Sequence, residues 1–155
     1  MRKIDRLLSE YGESHQNVTN KTIHWICVPA IFFSVTGLLY GIRIPASLSF
    51  GWQLNAAMIA LLLTTLYYFL LSVKIGIGML LFGMANLALC YAAQRLIPVP
   101  LWLLCIVIFI LAWIGQFYGH NIEGKKPSFF KDIQFLLIGP MWLMSFVYQK
   151  IGVRY

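Results

Sequence analysis

Residues 96–122 read LIPVPLWLLCIVIFILAWIGQFYGHNI, without a single Asp, Glu, Lys or Arg. A helix needs about 20 apolar residues to cross the hydrocarbon core of a bilayer, so this stretch is long enough to form a transmembrane helix. Further uncharged intervals occupy residues 22–42, 44–73, 75–94 and 133–149, the last of which is short. We therefore predict four transmembrane helices and a shorter fifth apolar segment.

The composition excludes a soluble globular protein. Of the 155 residues, 60% are hydrophobic and 11% are charged, and the mean hydropathy is +0.77. This leaves too little polar surface to cover a soluble domain of this length. We predict an all-α polytopic membrane protein that forms one domain over residues 1–155. The transmembrane helices are predicted at about residues 23–40, 54–73, 75–93 and 101–119.

The first 20 residues are predicted to lie at the membrane interface. Apolar residues recur at helical spacing from Ile4 to Tyr11, beside charged residues, which is typical of a short amphipathic helix on a membrane surface. Asn17, Thr19 and Asn20 form a polar cluster that we expect to bend the chain and to cap a helix beginning near Lys21.

The apolar segment at residues 133–148 contains Gly139-Pro140 in its middle. Proline removes a backbone donor and clashes with the preceding turn, so this step is expected to break a helix. We predict a re-entrant or half-length element here in preference to a full fifth transmembrane helix.

The basic residues orient the predicted helices. Four of them precede the first transmembrane helix: Arg2, Lys3, Arg6 and Lys21. The positive-inside rule then places the N-terminus in the cytoplasm, in the inner membrane of a bacterium or the endoplasmic reticulum of a eukaryote. The net charge of +7 fits membrane lipids of an anionic leaflet and excludes nucleic acid as the expected partner, because the basic residues flank the apolar segments.

The three histidines, His15, His24 and His120, all lie at the edges of apolar stretches. An ionisable side chain at a membrane boundary is costly unless it has a partner or a task. Four predicted transmembrane helices separate His24 from His120, so both positions emerge on the same membrane face. We therefore expect the three imidazoles to be able to meet.

Helical geometry sets conditions on that meeting. His120 and Glu123 are three residues apart, about 300° around a helix with a rise of about 4.5 Å, so they share one face at a spacing suited to metal ligands. His15 and His24 are nine residues apart and would face opposite sides of a continuous helix. They converge only if the chain bends between them.

Three histidines and the carboxylate of Glu123 form a possible site for a divalent metal. Imidazole suits iron and zinc, and a set of two histidines with one carboxylate leaves positions open on Fe²⁺ for dioxygen and substrate. Gln116 and Asn20 are predicted to act as outer partners that hydrogen-bond a ligating imidazole. Each residue also has a simpler interpretation. His15 could be an exposed interfacial histidine, and His24 could be a buried histidine bonded to a carbonyl. His120 and Glu123 could be an ordinary pair at a helix end.

Two segments resemble a known family. Residues 15–29, HQNVTNKTIHWICVP, and residues 116–127, QFYGHNIEGKKP, together with Gly139-Pro140, are similar to the family of the yeast endoplasmic-reticulum 2-hydroxy fatty acid dioxygenase. The likeness extends over essentially the whole chain, and bacterial members of that family are small polytopic proteins of similar length.

The resemblance implies an Fe²⁺-dependent dioxygenase that uses O₂ to shorten a 2-hydroxy fatty acid by one carbon, in fatty acid alpha-oxidation. It implies that His15, His24 and His120 hold the iron, with Glu123 at the matching acidic position as a ligand or as a nearby base. The lipid substrate would lie among the helices, with its carboxylate at the cytoplasmic edge. Weaker candidates for substrate contacts are Lys125, Lys126, Lys21, Tyr11 and Tyr118.

Two other classes of protein remain open from the sequence. A zinc-dependent membrane hydrolase would use the same ligands without oxygen chemistry. A non-enzymatic membrane scaffold or transport protein would explain the apolar helices but would leave the placement of the histidines without a reason.

Overall fold

The computed structural model describes residues 2–47, 53–124 and 129–155. These residues form six helices and one two-stranded antiparallel hairpin. The elements are α1 (Lys3–Glu13), α2 (Val18–Tyr40), β1 (Arg43–Ser47), β2 (Gln53–Asn55), α3 (Ala56–Leu71), α4 (Val73–Leu96), α5 (Leu101–Glu123) and α6 (Phe129–Lys150). The predicted all-α class is confirmed. The small hairpin between α2 and α3 was not predicted, because the sequence there has no periodic pattern of apolar residues.

Within the described part of the chain, three helices are long and apolar enough to cross a membrane. They are α2, α4 and α5, with 23, 24 and 23 residues, and α3 is a shorter apolar helix of 16 residues. Many large apolar side chains of α5 are exposed, among them Ile110, Leu111 and Ile114. Outward apolar faces of this kind are stable against lipid and would be costly against water. The helices therefore indicate an integral membrane protein.

Two glycines of α5 allow its close approach to α2. A Cβ atom at Gly115 would lie 2.7 Å from the Sγ atom of Cys27, and one at Gly119 would collide with the Oδ1 atom of Asn20. Small residues four apart are a common means of close helix packing in lipid. This crossing brings the beginning of α2 beside the end of α5, where His24 and His120 lie.

Helix α1 packs on α6, and its apolar face is the one that the sequence predicted. Ile4, Leu7, Leu8 and Tyr11 are all buried. They form one core cluster with residues of α6, namely Ile138, Met141, Trp142 and Leu143. The amphipathic helix thus covers one side of the chain segment that leads into α2.

The start of α2 differs from the prediction. The helix begins at Val18, because the side chain of Asn17 accepts hydrogen bonds from the backbone N–H groups of Thr19 and Asn20, at 2.8 and 3.4 Å. Asn17 alone is therefore the cap. Thr19 and Asn20 belong to the first helical turn, and the bend lies at residues 14–17 instead of residues 17–20.

The predicted break at Gly139-Pro140 was wrong. Helix α6 runs continuously from Phe129 to Lys150 with Pro140 inside it, so the chain does not reverse direction there. The hydroxyl of Tyr68 in α3 donates a hydrogen bond to the carbonyl of Leu137, in the turn before Pro140, at 2.7 Å. Gly139 allows the helix to lie close to Tyr11 and Val28. These neighbouring helices support the backbone around the proline.

The connection between α3 and α4 is a tight antiparallel turn, slightly earlier in the chain than the predicted helix bounds of residues 54–73 and 75–93 imply. Ser72 is the one residue between the two helices. Its backbone N–H donates to the carbonyl of Tyr68, and its side chain accepts from the backbone N–H of Ile75 at 3.5 Å. Ser72 therefore ends one helix and caps the next.

Candidate metal centre

The three histidines converge as predicted. His15 lies in the turn after α1, His24 in the second turn of α2 and His120 in the last turn of α5. One ring nitrogen of each is within 4.8 Å of the other two. His15 and His24 are each only 1% exposed, whereas His120 is half-buried. The bend at residues 14–17 turns His15 back toward His24, which meets the condition that helical geometry set.

Backbone carbonyls fix the orientation of two of the rings. The Nδ1 atom of His15 lies 2.6 Å from the carbonyl oxygen of Tyr11, and the Nδ1 atom of His24 lies 2.9 Å from that of Asn20. A carbonyl oxygen can only accept a hydrogen bond, so each Nδ1 carries the proton and donates. The Nε2 atom of each neutral ring is then an unprotonated acceptor, which is the state that binds a metal.

The two Nε2 atoms face each other at 2.9 Å. A proton between them would require one ring to be cationic, but burial lowers the pKa of His15 to about 4. Two neutral acceptors at this distance repel unless a cation lies between them. Nitrogens that each lie about 2.0–2.1 Å from one ion are about 3 Å apart on adjacent positions, so the observed separation suits a shared metal.

Aromatic side chains hold His15 from the side of α1 and α6. The ring of Tyr11 stacks on that of His15, with centroids 4.2 Å apart and planes inclined by 9°. The ring of Trp142 lies 5.3 Å from His15 and 5.2 Å from Tyr11. This role of Tyr11 and Trp142 was not predicted from the sequence. The spacing of four residues between Tyr11 and His15 was a usable signal, whereas the contact with Trp142 spans most of the chain.

Glu123 lies outside the group of converging ligand atoms. Its Oε1 atom accepts a hydrogen bond from the backbone N–H of Gln16 at 2.8 Å. Its Oε2 atom accepts from the backbone N–H of Asn17 at 2.9 Å and from the side-chain Nδ2 of Asn20 at 3.1 Å. The carboxylate therefore binds the turn that carries His15.

Other predicted site residues are placed as follows. Asn20 is fully buried, and its backbone carbonyl oxygen lies 2.9 Å from the Nδ1 atom of His24; its role as an outer partner of a metal ligand stays a prediction. Gln116 is buried one turn before His120, and its contact with an imidazole stays a prediction. Lys21 is half-buried in the first turn of α2, and its contact with a substrate stays a prediction. Tyr118 is 62% exposed. Lys125 and Lys126 lie outside the described residues.

The donor set allows a definite range of chemistry. Three neutral imidazole nitrogens suit Fe²⁺ and Zn²⁺, and three protein ligands leave coordination positions for substrate and dioxygen or water. The rings of His15 and His24 are oriented by backbone carbonyls, and that of His15 also by the stacked ring of Tyr11, as in metal centres whose ligands are held by outer partners. The cluster therefore fits a catalytic metal better than a closed structural one.

Comparison with known proteins agrees with the site. The family described as 2-hydroxy-palmitic acid dioxygenase Mpo1-like matches residues 1–151. The 2-hydroxy-palmitic acid dioxygenase MPO1 of Saccharomyces cerevisiae is 31% identical over 150 residues, covering 94% of this chain and 79% of the yeast protein. No solved structure matches the chain. With a family match along nearly its whole length, the chain belongs to the Mpo1-like family of 2-hydroxy-palmitic acid dioxygenases.

Proposed function

We propose that this protein binds Fe²⁺ at His15, His24 and His120 and uses O₂ to shorten 2-hydroxy fatty acids by one carbon at the cytoplasmic face of a membrane. The observation that carries the proposal is the pair of Nε2 atoms at 2.9 Å. Both rings already donate their Nδ1 protons to carbonyls, so a metal ion is the partner that this pair needs.

The overall reaction balances with O₂ as the sole oxidant. A 2-hydroxy acid RCH(OH)COOH and one O₂ give the shortened acid RCOOH, one CO₂ and one H₂O. The bond between carbons 1 and 2 breaks, and carbon 2 is oxidised from the alcohol to the carboxylic acid level, while dioxygen is reduced. When bound, Fe²⁺ would supply the activation of dioxygen that a polypeptide alone lacks.

The side chains of this protein prepare the site. The carbonyls of Tyr11 and Asn20 keep His15 and His24 in the tautomer with a free Nε2. Helices α1 and α6 bury His15 and so exclude water from that side of the cluster. The half-buried His120 marks the more accessible side, where we propose that the substrate carboxyl group enters.

The substrate contacts extend the proposal. A lipid in the bilayer already has its acyl chain in an apolar environment, so much of the specific binding energy has to come from the carboxylate and the hydroxyl. Lys21 lies in the first turn of α2, three residues before His24, and we propose that it pairs with the substrate carboxylate. Lys125 and Lys126 follow α5 in the sequence and are proposed for the same purpose. Tyr118 is proposed to contact the lipid head group.

The membrane topology is part of the proposal. The three long apolar helices and the shorter α3 would together form four transmembrane helices. With the N-terminus in the cytoplasm, the metal centre would lie on the cytoplasmic side of a bacterial inner membrane or of the endoplasmic reticulum. The basic residues that flank the helices support this orientation.

The test is a metal and product analysis of the purified protein. After anaerobic purification, we expect one Fe²⁺ per chain, uptake of O₂ with 2-hydroxypalmitate, and one pentadecanoate and one CO₂ for each O₂ consumed. Palmitate, which lacks the hydroxyl, is the matched control and should consume no O₂. Stoichiometric zinc with a hydrolytic activity, or iron-loaded protein that leaves 2-hydroxypalmitate unchanged, would refute the proposal.

A further inference from the structure

The carboxylate of Glu123 is held by three N–H donors from one short segment. Two are the successive backbone amides of Gln16 and Asn17, at 2.8 and 2.9 Å, and the third is the side-chain amide of Asn20, at 3.1 Å. Both carboxylate oxygens are engaged. Hydrogen bonds to an ionised group are about twice as strong as those between neutral groups, and these three join parts of the chain that are more than one hundred residues apart.

The helix dipoles explain why the carboxylate of Glu123, at the end of α5, contacts the N-terminus of α2. Glu123 is the last residue of α5, where the partial negative charge of a helix C-terminus makes an anion unfavourable. The N-terminus of α2 begins directly after Asn17, and its partial positive charge favours an anion. The carboxylate therefore gains by contacting α2, and it draws the end of α5 toward the turn at residues 14–17.

This contact links the ligands of the metal centre. His15 directly precedes the two amides that bind Glu123, Asn20 supplies the carbonyl that orients His24, and His120 lies on α5 one turn before Glu123. One carboxylate thus connects the three chain segments that carry the three histidines. His15 needs such a connection most, because it lies in a turn and not within a helix.

We infer that Glu123 is a positioning residue that clasps the 14–17 turn onto α5 and so keeps His15 converged with His24 and His120, and that it is not itself a metal ligand. The Glu123 oxygens are not among the converging ligand atoms, and the carboxylate would have to leave its three N–H donors to join them. The inference rests on the proposed function only in assigning a metal to the three histidines, since the clasp is present among the described residues without one.

The test compares Glu123→Gln and Glu123→Ala with the wild-type protein, using Co²⁺ as a spectroscopic probe and amide hydrogen exchange as a reading of the turn. In the metal-free protein, Glu123→Ala should speed exchange at Gln16 and Asn17 by about tenfold or more, because both amides lose an ionised acceptor. Glu123→Gln should show a smaller increase, because its amide oxygen still accepts one hydrogen bond.

Metal binding gives the second reading. Co²⁺ should still bind at one ion per chain in both variants, with absorption bands at wild-type energies, since the ligands are unchanged. The affinity should fall by about 10- to 100-fold in Glu123→Ala, as for other outer partners of metal ligands, and by less in Glu123→Gln. Asp5→Asn is the matched control, because it removes a surface carboxylate of α1 that pairs with Arg2.

Amide exchange and Co²⁺ binding can each overturn the inference. Shifted absorption bands in Glu123→Gln would show that Glu123 is a ligand, and unchanged exchange at Gln16 and Asn17 would show that there is no clasp. Wild-type affinity in Glu123→Ala would show that the clasp does not serve the metal centre. Failure of the wild-type protein to bind Co²⁺ would instead refute the metal centre, while the exchange rates would still decide whether the clasp exists.

Discussion

The Nε2 atoms of His15 and His24 lie 2.9 Å apart, and the tautomers that their other contacts require leave neither Nε2 atom with a proton. Each ring donates its Nδ1 proton to a carbonyl, and burial lowers the pKa of His15 to about 4. The contact is therefore unfavourable in the metal-free protein and favourable with a cation between the rings. A local arrangement that is unfavourable without its ligand is typical of functional sites.

The first prediction follows from that conflict. His24→Leu should abolish metal retention but leave the free energy of unfolding of the metal-free protein unchanged or higher, because it removes the repulsion between the two rings. Replacing an ordinary buried, hydrogen-bonded side chain would instead cost about 1–3 kcal/mol. Iron content by metal analysis and unfolding of metal-free protein in mixed detergent micelles are the two measurements.

A buried polar residue away from the cluster serves as the control for this experiment. Asn86 is 3% exposed and donates to the carbonyl of Phe82 at 2.8 Å. Asn86→Leu should keep the metal, which distinguishes a lost ligand from a general effect of placing leucine at a buried polar site. Iron retained at the wild-type level in His24→Leu would remove His24 from the ligand set.

The second prediction concerns the stacking of Tyr11 on His15. Tyr11→Leu should weaken metal binding by up to about tenfold, since an aromatic pair is worth about 0.5–1.5 kcal/mol beyond its buried area and the ring orients a ligand. Tyr11→Phe keeps the stacked ring and should bind the metal more tightly than Tyr11→Leu. Metal titration of the two variants checks this, and equal affinities would mean that the stack has no part in positioning His15.

The convergence of the histidines was predictable because it needed only coarse information. Four apolar stretches between His24 and His120 place the two residues on one side of the membrane, and a spacing of nine residues shows that His15 requires a bend. The place of the bend was harder. Asn17, Thr19 and Asn20 are all possible caps, and the choice of Asn17 depends on backbone geometry that residue types alone do not determine.

The rest of the site depends on contacts between distant residues. Glu123 has a spacing suited to a ligand beside His120, but its partners are the amides of residues 16 and 17, more than one hundred positions earlier. Trp142 contacts His15 only because α6 packs against α1. The continuation of α6 through Pro140 likewise rests on neighbouring helices. No local pattern contains this information.

The third prediction concerns the tie between α3 and α6. Tyr68 is 1% exposed, and its hydroxyl donates to the carbonyl of Leu137 at 2.7 Å. Tyr68→Phe should lower the free energy of unfolding by about 1–2 kcal/mol, because it deletes a buried hydrogen bond near the proline. The same substitution at the exposed Tyr91 keeps the ring below Arg95 and should have little effect. Equal stability of the two variants would show that the hydrogen bond from Tyr68 to the carbonyl of Leu137 does not stabilise the protein.

The fourth prediction concerns the crossing of α2 and α5. A methyl group in Gly119→Ala would collide with the Oδ1 atom of Asn20, and Asn20 also contacts Glu123 and orients His24. Gly119→Ala should therefore cost about 1–3 kcal/mol of stability through overpacking and should weaken metal binding as well. Gly12→Ala is the matched control, because a Cβ there would lie 3.6 Å from Trp142, an ordinary contact, and alanine favours a helix. Gly119→Ala with wild-type stability and wild-type metal affinity would show that α2 and α5 can separate without disturbing the histidines.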